Sequence, residues 1–308
     1  MSSFKIIEKT KIWFIIPACI IVLGLLFLII NKGFNLDIEF AGGTMMQIDI
    51  GQDFDAREEI EPIVREITGD TNPQVQKVSG AGGDNQVSIK VKEITSEQAV
   101  ELYTAIAEKY GLDTETNANL VEQGSISPTI SSEMKRTALV SVTVAVILML
   151  IYITIRFRDV RFGLSSIVAL IHDVLIVLSM YAIFRIPINN NFIAAMLTIV
   201  GYSINDTIVI FDRVRENRKY YRADQLNELG NVSVSQSIGR SVNTSITTIV
   251  MVLLLFLLGV QSVRWFAFPL MAGFIAGTYS SICIATPVWV LLSKAHKTSG
   301  KKPAAQKS

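Results

Sequence analysis

The chain has 308 residues, 50% of them hydrophobic and 18% charged, with a mean hydropathy of +0.43. That is too apolar for a soluble domain of this size and identifies a membrane protein. A net charge of +1 makes no case for a nucleic-acid partner. Cys19 and Cys283 both fall inside apolar runs, with no second Cys and no His at ligand spacing, which argues against a disulfide framework and against a metal site.

In chain order, residues 1–11 form a short basic N-terminus with Lys5, Lys9 and Lys11, followed by an apolar run over 12–30. Its length of about 19 residues and the absence of a small-residue cleavage pattern predict a retained span and signal anchor rather than a cleaved signal peptide. Five more apolar segments follow, over 138–155, 163–184, 192–211, 241–260 and 266–292. Each meets the length needed at 1.5 Å per residue, so six transmembrane helices are predicted.

Lys and Arg sort these spans. Arg156, Arg158 and Arg161, then Arg213, Arg215, Arg218, Lys219 and Arg222, then Lys294, Lys297, Lys301 and Lys302 gather at one set of ends with the N-terminal lysines, while the opposite short loops hold only Arg185 and Arg264. The positive-inside rule then puts both termini and the basic tail over 294–308 in the cytoplasm, with residues 31–137 outside. The basic loop over 212–231, with Tyr220 and Tyr221, is explained by the same rule, though it also suits anionic lipid headgroups or a cytoplasmic partner.

Residues 31–137 are of mixed polarity and long enough for one small domain. Met46, Ile48 and Ile50 alternate with polar residues, as do Val87, Ile89 and Val91, which predicts two half-buried strands. Ile60, Ile63, Val64 and Ile67 follow Asp55 and Glu58, and Ala99, Leu102, Tyr103, Ile106 and Tyr110 follow Thr95 and Gln98, the pattern of two capped amphipathic helices. With a short strand over 75–78, a Gly-rich turn over 79–85 and a last strand over 114–121, the order is β-α-β-β-α-β, that of a ferredoxin-like α+β domain between the first two spans. The Gly-rich turn lacks the Lys-Ser/Thr and helix start of a phosphate cradle and reads as a plain turn.

Within the membrane segments 138–293 the informative residue is Asp206. A carboxylate at that depth costs about 2.5 to 3.5 kcal/mol on insertion scales, so a function or a partner must offset it. It is expected about five residues, roughly 8 Å, from the cytoplasmic end of its span. Tyr202 shares its face one turn earlier, Asn205 and Thr207 flank it, and Gly201 would let a neighbouring helix approach closely. The next span opens with Arg240, Asn243, Thr244, Thr247 and Thr248 at three- and four-residue spacing, a polar stripe that makes Arg240 the natural counter-charge. An ion path lined by hydroxyls and a static ion pair locking two helices both fit this pattern.

His172 and Asp173 sit mid-span in 163–184. As sequence neighbours their side chains leave the helix about 100° apart, which predicts that they do not face each other. A relay role and a packing hydrogen bond are both open to them. No Ser, Cys or second His completes a nucleophilic set, so hydrolysis has no support. Gly273 and Gly277, interleaved with Ala272 and Ala276, give the last span a close-packing face, and Pro17, Pro269 and Pro287 are potential kinks.

Three runs carry a resemblance: Asp37-Ile38-Glu39-Phe40-Ala41-Gly42-Gly43-Thr44 after the first span, Ala169-Leu170-Ile171-His172-Asp173-Val174 in the third, and the run from Gly201-Tyr202-Ser203-Ile204-Asn205-Asp206 to Arg215-Glu216-Asn217 in the fourth. Together they resemble the SecF branch of the SecD/SecF family, within the RND superfamily. The resemblance implies a non-enzymatic export subunit of the cytoplasmic membrane that pairs with SecD beside the SecYEG channel, with a YajC or YidC-type insertase, membrane lipids and the translocating preprotein as further partners. It implies no cofactor, only a proton or sodium gradient, with Asp206 and Arg240 in the coupling role. An RND-type exporter half for lipids or small molecules is the alternative, although the chain is too short for a second six-helix repeat. Ser125-Ile126-Ser127-Pro128 departs from the family's Gly-Pro before the second span, which predicts a stiffer hinge there.

Overall fold

The computed structural model describes residues 5–71, 73–80, 83–114, 116–222, 224–259 and 261–300. A single turn over Ile7–Lys9 leads into α1 (Thr10–Ile30), and a four-residue helix α2 (Ile38–Ala41) follows. Next come β1 (Gly43–Asp49), a wide π-type turn over Ala56–Ile60, α3 (Glu61–Thr68), β2 (Gln74–Gly80), β3 (Gly83–Val91), α4 (Ser96–Tyr110) and β4 (Leu120–Ile126). The rest is helical: α5 (Pro128–Phe157), α6 (Val160–Phe184), α7 (Asn190–Asn217), α8 (Leu226–Leu258), α9 (Gln261–Ser280), a second wide turn over Ser281–Ala285, and α10 (Thr286–Gly300).

The strands form one sheet in the order β2-β3-β1-β4, every neighbouring pair antiparallel. Alternation decides its packing. Met46, Ile48, Val87, Ile89 and Val91 all turn to one face, where they meet Ile60 just before α3, Val64 of α3, and Leu102 and Ile106 of α4. Both helix starts are built as their sequences predict. Asp55 accepts from the amides of Arg57 and Glu58, each at 2.8 Å, and Thr95 with Gln98 forms a reciprocal capping box. The last strand begins at Leu120, not near 114, because Asp113 and Asn117 (φ 51°) hold the chain in turns before it. The centre of the Gly-rich turn, Ala81 and Gly82, lies outside the described residues.

Six helices are long and apolar enough to cross a membrane, as predicted. Their ends run further than the apolar runs. The second span starts at Pro128, ten positions before the predicted start, because Ser127 caps it by accepting from the Ile130 amide (3.4 Å) and Pro128 needs no N–H partner in the first turn. Only Ser127 separates β4 from α5, so the connection there is short. The basic loop is also mostly helix. α7 continues through Asn217 because Arg213 pairs with Glu216 (2.9 Å) and Arg215 with Asp212 (3.3 Å) along its own surface, and α8 starts at Leu226. The tail over 294–308 continues α10 to Gly300, and its last eight residues lie outside the described ones.

The helices divide into inner and outer ones. The apolar windows of α6 and α7 are 50% buried and that of the last span 67%, against 11%, 6% and 17% for α1, α5 and α8. Small residues set the inner contacts. A side chain at Gly277 would stand 2.9 Å from the Ser203 Cβ, so α9 lies directly on α7 at that level. The basic residues gather at one end of the bundle, where Arg156 pairs with Asp212 (3.1 Å) and Arg161 with Asp159 (2.7 Å), while Arg185 donates to the Gly33 carbonyl (3.0 Å) at the other.

The Asp37-to-Thr44 run joins the sheet to the bundle. Asp37 caps α2 by accepting from the Ile38 amide (2.7 Å) and pairs with Lys90 of β3 (2.7 Å), and the backbone there pairs with Ile188 before α7. Phe40 is buried among Val177, Tyr181 and Ile186. Gly42 (φ 77°) and Gly43 (φ 144°) make the turn into β1, where a Cβ on Gly43 would collide with the Val91 carbonyl. Thr44 opens the strand, its hydroxyl facing Ser125 at 3.5 Å.

Candidate functional site

Asp206 stands in the middle of α7 and is 2% exposed. The arginine-rich turns carry α7 on past Phe211 to Asn217, so the helix extends well beyond Asp206 on that side. Tyr202, one turn before, faces the same side. Its ring lies 4.4 Å from that of Phe274 on α9, and its hydroxyl donates to Ser245 of α8 (3.3 Å). Ser245 donates to Asp206 Oδ2 at 3.4 Å, contacts the Thr278 hydroxyl of α9 at 2.5 Å and reaches the Ser241 carbonyl at 2.8 Å. The hydroxyls of Ser241 and Thr278 complete the surroundings of the carboxylate.

One hydroxyl proton cannot serve all these acceptors at once. The two shorter contacts of Ser245 compete with the long one to Asp206, so the carboxylate is buried among neutral hydroxyls and weakly hydrogen-bonded.

The predicted ion pair is not formed. Among the described residues none joins Asp206 to Arg240, which is exposed, although its charge is near enough to act on the carboxylate. Helix geometry gives the reason. The side of α8 turned to α7 and α9 carries Ser233, Ser237, Ser241 and Ser245, all buried and four residues apart. Arg240 leaves the helix about 100° away from Ser241. Asn243 and Thr247 are exposed with it, and Thr244 and Thr248 are half-buried, their hydroxyls donating to carbonyls one turn back. A static Asp206–Arg240 lock therefore lacks its contact. Asn205 is likewise exposed, and a side chain at Gly201 would meet nothing within 4 Å, so these two residues mark the outer face of α7 and not a close helix crossing.

A second buried carboxylate lies nearby. Asp173, 0% exposed, accepts from Ser203 of α7 (2.5 Å) and Ser280 of α9 (2.9 Å), and its other oxygen is 2.9 Å from His172 Nδ1. This corrects the expectation that His172 and Asp173 face apart. Both are buried on the inner side of α6, and a long imidazole and a carboxylate can curl together across the angle between their Cβ atoms. Thr207 and Ser281, 2.8 Å apart, extend the polar cluster, and the His172 ring stacks on Tyr279 at 5.9 Å.

The polar residues missed from sequence are all hydroxyls: Ser203, Ser241, Ser245, Thr278, Ser280 and Ser281. The four-residue spacing of serines in α8 was a readable signal. Among the described residues no group of three or more His, Cys, Asp or Glu side chains is placed to hold a metal ion.

Residues 106–295 match the family model described as protein export membrane protein SecD/SecF, C-terminal. The chain is 34% identical over 308 residues to the protein translocase subunit SecF of Petrotoga mobilis, covering 98% of this chain and all of that one. It is 36% identical over 298 residues to SecF of Alicyclobacillus acidocaldarius, covering 93% and 92%. The crystal structure of SecDF, a translocon-associated membrane protein from Thermus thermophilus, superposes with a TM-score of 0.80 at 33% identity, over 95% of this chain and 39% of that longer one. The six spans, the small antiparallel sheet and these matches place the chain in the SecD/SecF family of protein-export membrane proteins.

Proposed function

We propose that this protein is the SecF-type accessory subunit of the Sec export machinery, a multi-pass membrane protein that pairs with SecD beside the SecYEG channel and draws on an ion gradient to complete preprotein translocation. The relatives named above are translocase subunits, and the SecDF structure joins this fold to a longer chain. Partners of the YajC or YidC type belong to the same reading. The gathering of basic residues at one end of the bundle supports cytoplasmic termini. The strand-helix-strand-strand-helix-strand order with β1 inside the sheet supports a ferredoxin-like domain on the opposite side.

One observation carries the mechanism: among the described residues Asp206 is buried at mid-helix with no counter-charge in contact, among the neutral hydroxyls of Ser241, Ser245 and Thr278, the Ser245 one at a long 3.4 Å. Such a group changes its interactions most when it gains or loses a proton or a small cation, since its uncompensated charge costs a few kcal/mol. Each charge moved through the membrane potential supplies about 2.3 kcal/mol per 100 mV, enough to shift a two-state packing of α7 against α8. Arg240 acts on this equilibrium through its field, at a distance. The small residues where α9 lies on α7, and the single residue between β4 and α5, would pass the repacking to the domain outside.

The test is export into sealed vesicles carrying Asp206→Asn, driven in turn by a proton and a sodium gradient. Gradient-dependent export should be lost while the complex still assembles, and the gradient that drives the unmodified protein identifies the ion. Export that keeps its full gradient dependence in the variant would overturn the reading.

A further inference from the structure

Where α6, α8 and α10 meet at the basic end of the bundle there is a small recess of about 130 Å³. Arg161, Arg218, Tyr221 and Arg222 line it, together with Leu226, Leu229 and Ser293. Among the described residues one carboxylate contacts these guanidiniums. Asp159 meets Arg161 Nη2 at 2.7 Å and Nε at 2.9 Å, and Arg218 Nη1 at 3.5 Å. A guanidinium has five N–H donors, so Asp159 occupies only part of each. The Arg222 guanidinium has no hydrogen bond or ion pair among the described residues. Three cations against one carboxylate leave the recess short of two negative charges.

Arg161 also heads a stripe along α6. Leu164, Val168, Ile171 and Leu175 follow it three, seven, ten and fourteen residues on, and are 38 to 53% exposed. This heptad spacing keeps all four within about 80° of Arg161 around the helix. The stripe runs about 21 Å at 1.5 Å per residue, longer than the roughly 15 Å of one leaflet's hydrocarbon. A recess lined by arginines and an apolar track of leaflet depth therefore share one helix face.

We propose that the recess binds the phosphate of an anionic phospholipid, with one acyl chain lying along the Leu164-to-Leu175 face of α6. The recess is smaller than the roughly 300 Å³ at which drug-sized ligand sites begin, so it takes a head group and not a nucleotide. Planar guanidiniums match phosphate oxygens, and basic pockets at the cytoplasmic ends of spans recognise lipid heads. The apolar track separates a lipid from a free phosphate, which has nothing to lay along it. A zwitterionic lipid has no net charge with which to balance the arginines. Only the choice of leaflet rests on the cytoplasmic placement of this end.

The experiment uses the full chain in phosphatidylcholine nanodiscs, which offer lipid to both ends. They carry a small share of phosphatidylglycerol or phosphatidylcholine with a diazirine in the acyl chain, and labelled peptides are mapped by mass spectrometry. Phosphatidylglycerol should label residues 164–175 about 25-fold more than phosphatidylcholine. That is about fivefold for each of two unbalanced arginines, the equivalent of about 1 kcal/mol apiece. Arg222→Gln, which breaks no contact among the described residues, should cut the preference about fivefold at an unchanged melting temperature, and Arg218→Gln added to it should remove the rest. Unlabelled phosphatidylglycerol should compete, and excess inorganic phosphate should not. Equal labelling by the two lipids, an unchanged preference in Arg222→Gln, or displacement by inorganic phosphate would overturn the proposal.

Discussion

The bundle buries two carboxylates beside the contact of α7 with α9, and they are treated in opposite ways. Asp173 is held by an imidazole and two hydroxyls at 2.5 to 2.9 Å, so its oxygens are served from three helices. Asp206, nearly as buried, has one hydrogen bond within 3.5 Å, at 3.4 Å from a hydroxyl with better partners elsewhere, and otherwise the looser surroundings of Ser241 and Thr278. Equal burial therefore hides unequal satisfaction. The first arrangement fixes helices in place, and the second leaves a group whose state can change without dismantling the core.

The largest effect should come from breaking the satisfied site. Asp173→Ala leaves an imidazole and two serines without their acceptor, and we expect a loss of about 3 kcal/mol in unfolding free energy in detergent. The corresponding loss for Asp206→Ala should be much smaller, and equal losses would erase the contrast. Gly277→Ala comes next. Its Cβ would lie 2.9 Å from that of Ser203, the residue that donates to Asp173, so overpacking should cost about 1 to 3 kcal/mol by the same unfolding measurement.

Ser245→Ala should cost only about 0.6 kcal/mol, the average for a membrane hydrogen bond, because Ser245 serves Asp206 poorly. A markedly larger loss would show that the long contact is stronger than its length implies.

A carboxylate outside the spans calibrates both. Asp159 caps α6 and is half enclosed, so burial pushes its carboxyl up. The hydrogen bonds and charges of Arg161 and Arg218 outweigh this and hold it below the usual carboxylate range. A folded-state value below the unfolded one adds stability above the unfolded value, about 3.9, that is lost as pH falls through the lowered value. The melting temperature of Asp159→Asn should therefore sit below that of the unmodified protein at neutral pH and converge with it in acid. A constant difference across pH would sink that assignment.

Much of the architecture was legible from local pattern. Alternation at Met46, Ile48 and Ile50, the Thr95–Gln98 cap and six apolar runs each report a constraint acting within a few residues. The ends of the spans were less legible, because Pro128 and the arginine-rich stretch after Phe211 form helix by capping and ion pairing, which hydropathy does not register. The face of α8 was misjudged for a related reason. In a membrane helix an arginine stripe stands out against leucine, while serines at Ser237, Ser241 and Ser245 pass as small neutral residues, yet small hydroxyls are what two close helices can bury.

By itself the sequence determined that this is a six-span membrane protein with a small α+β domain, a family signature and a buried Asp206, since chain length, periodicity and desolvation cost are properties of the segment alone. The tertiary structure decided what surrounds each buried group: that His172 turns to Asp173, that Arg240 turns away from Asp206, and that Ser245 stands between α7 and α9. Those outcomes depend on helix rotation and close approach at Gly277, which are set by packing among segments far apart in the chain.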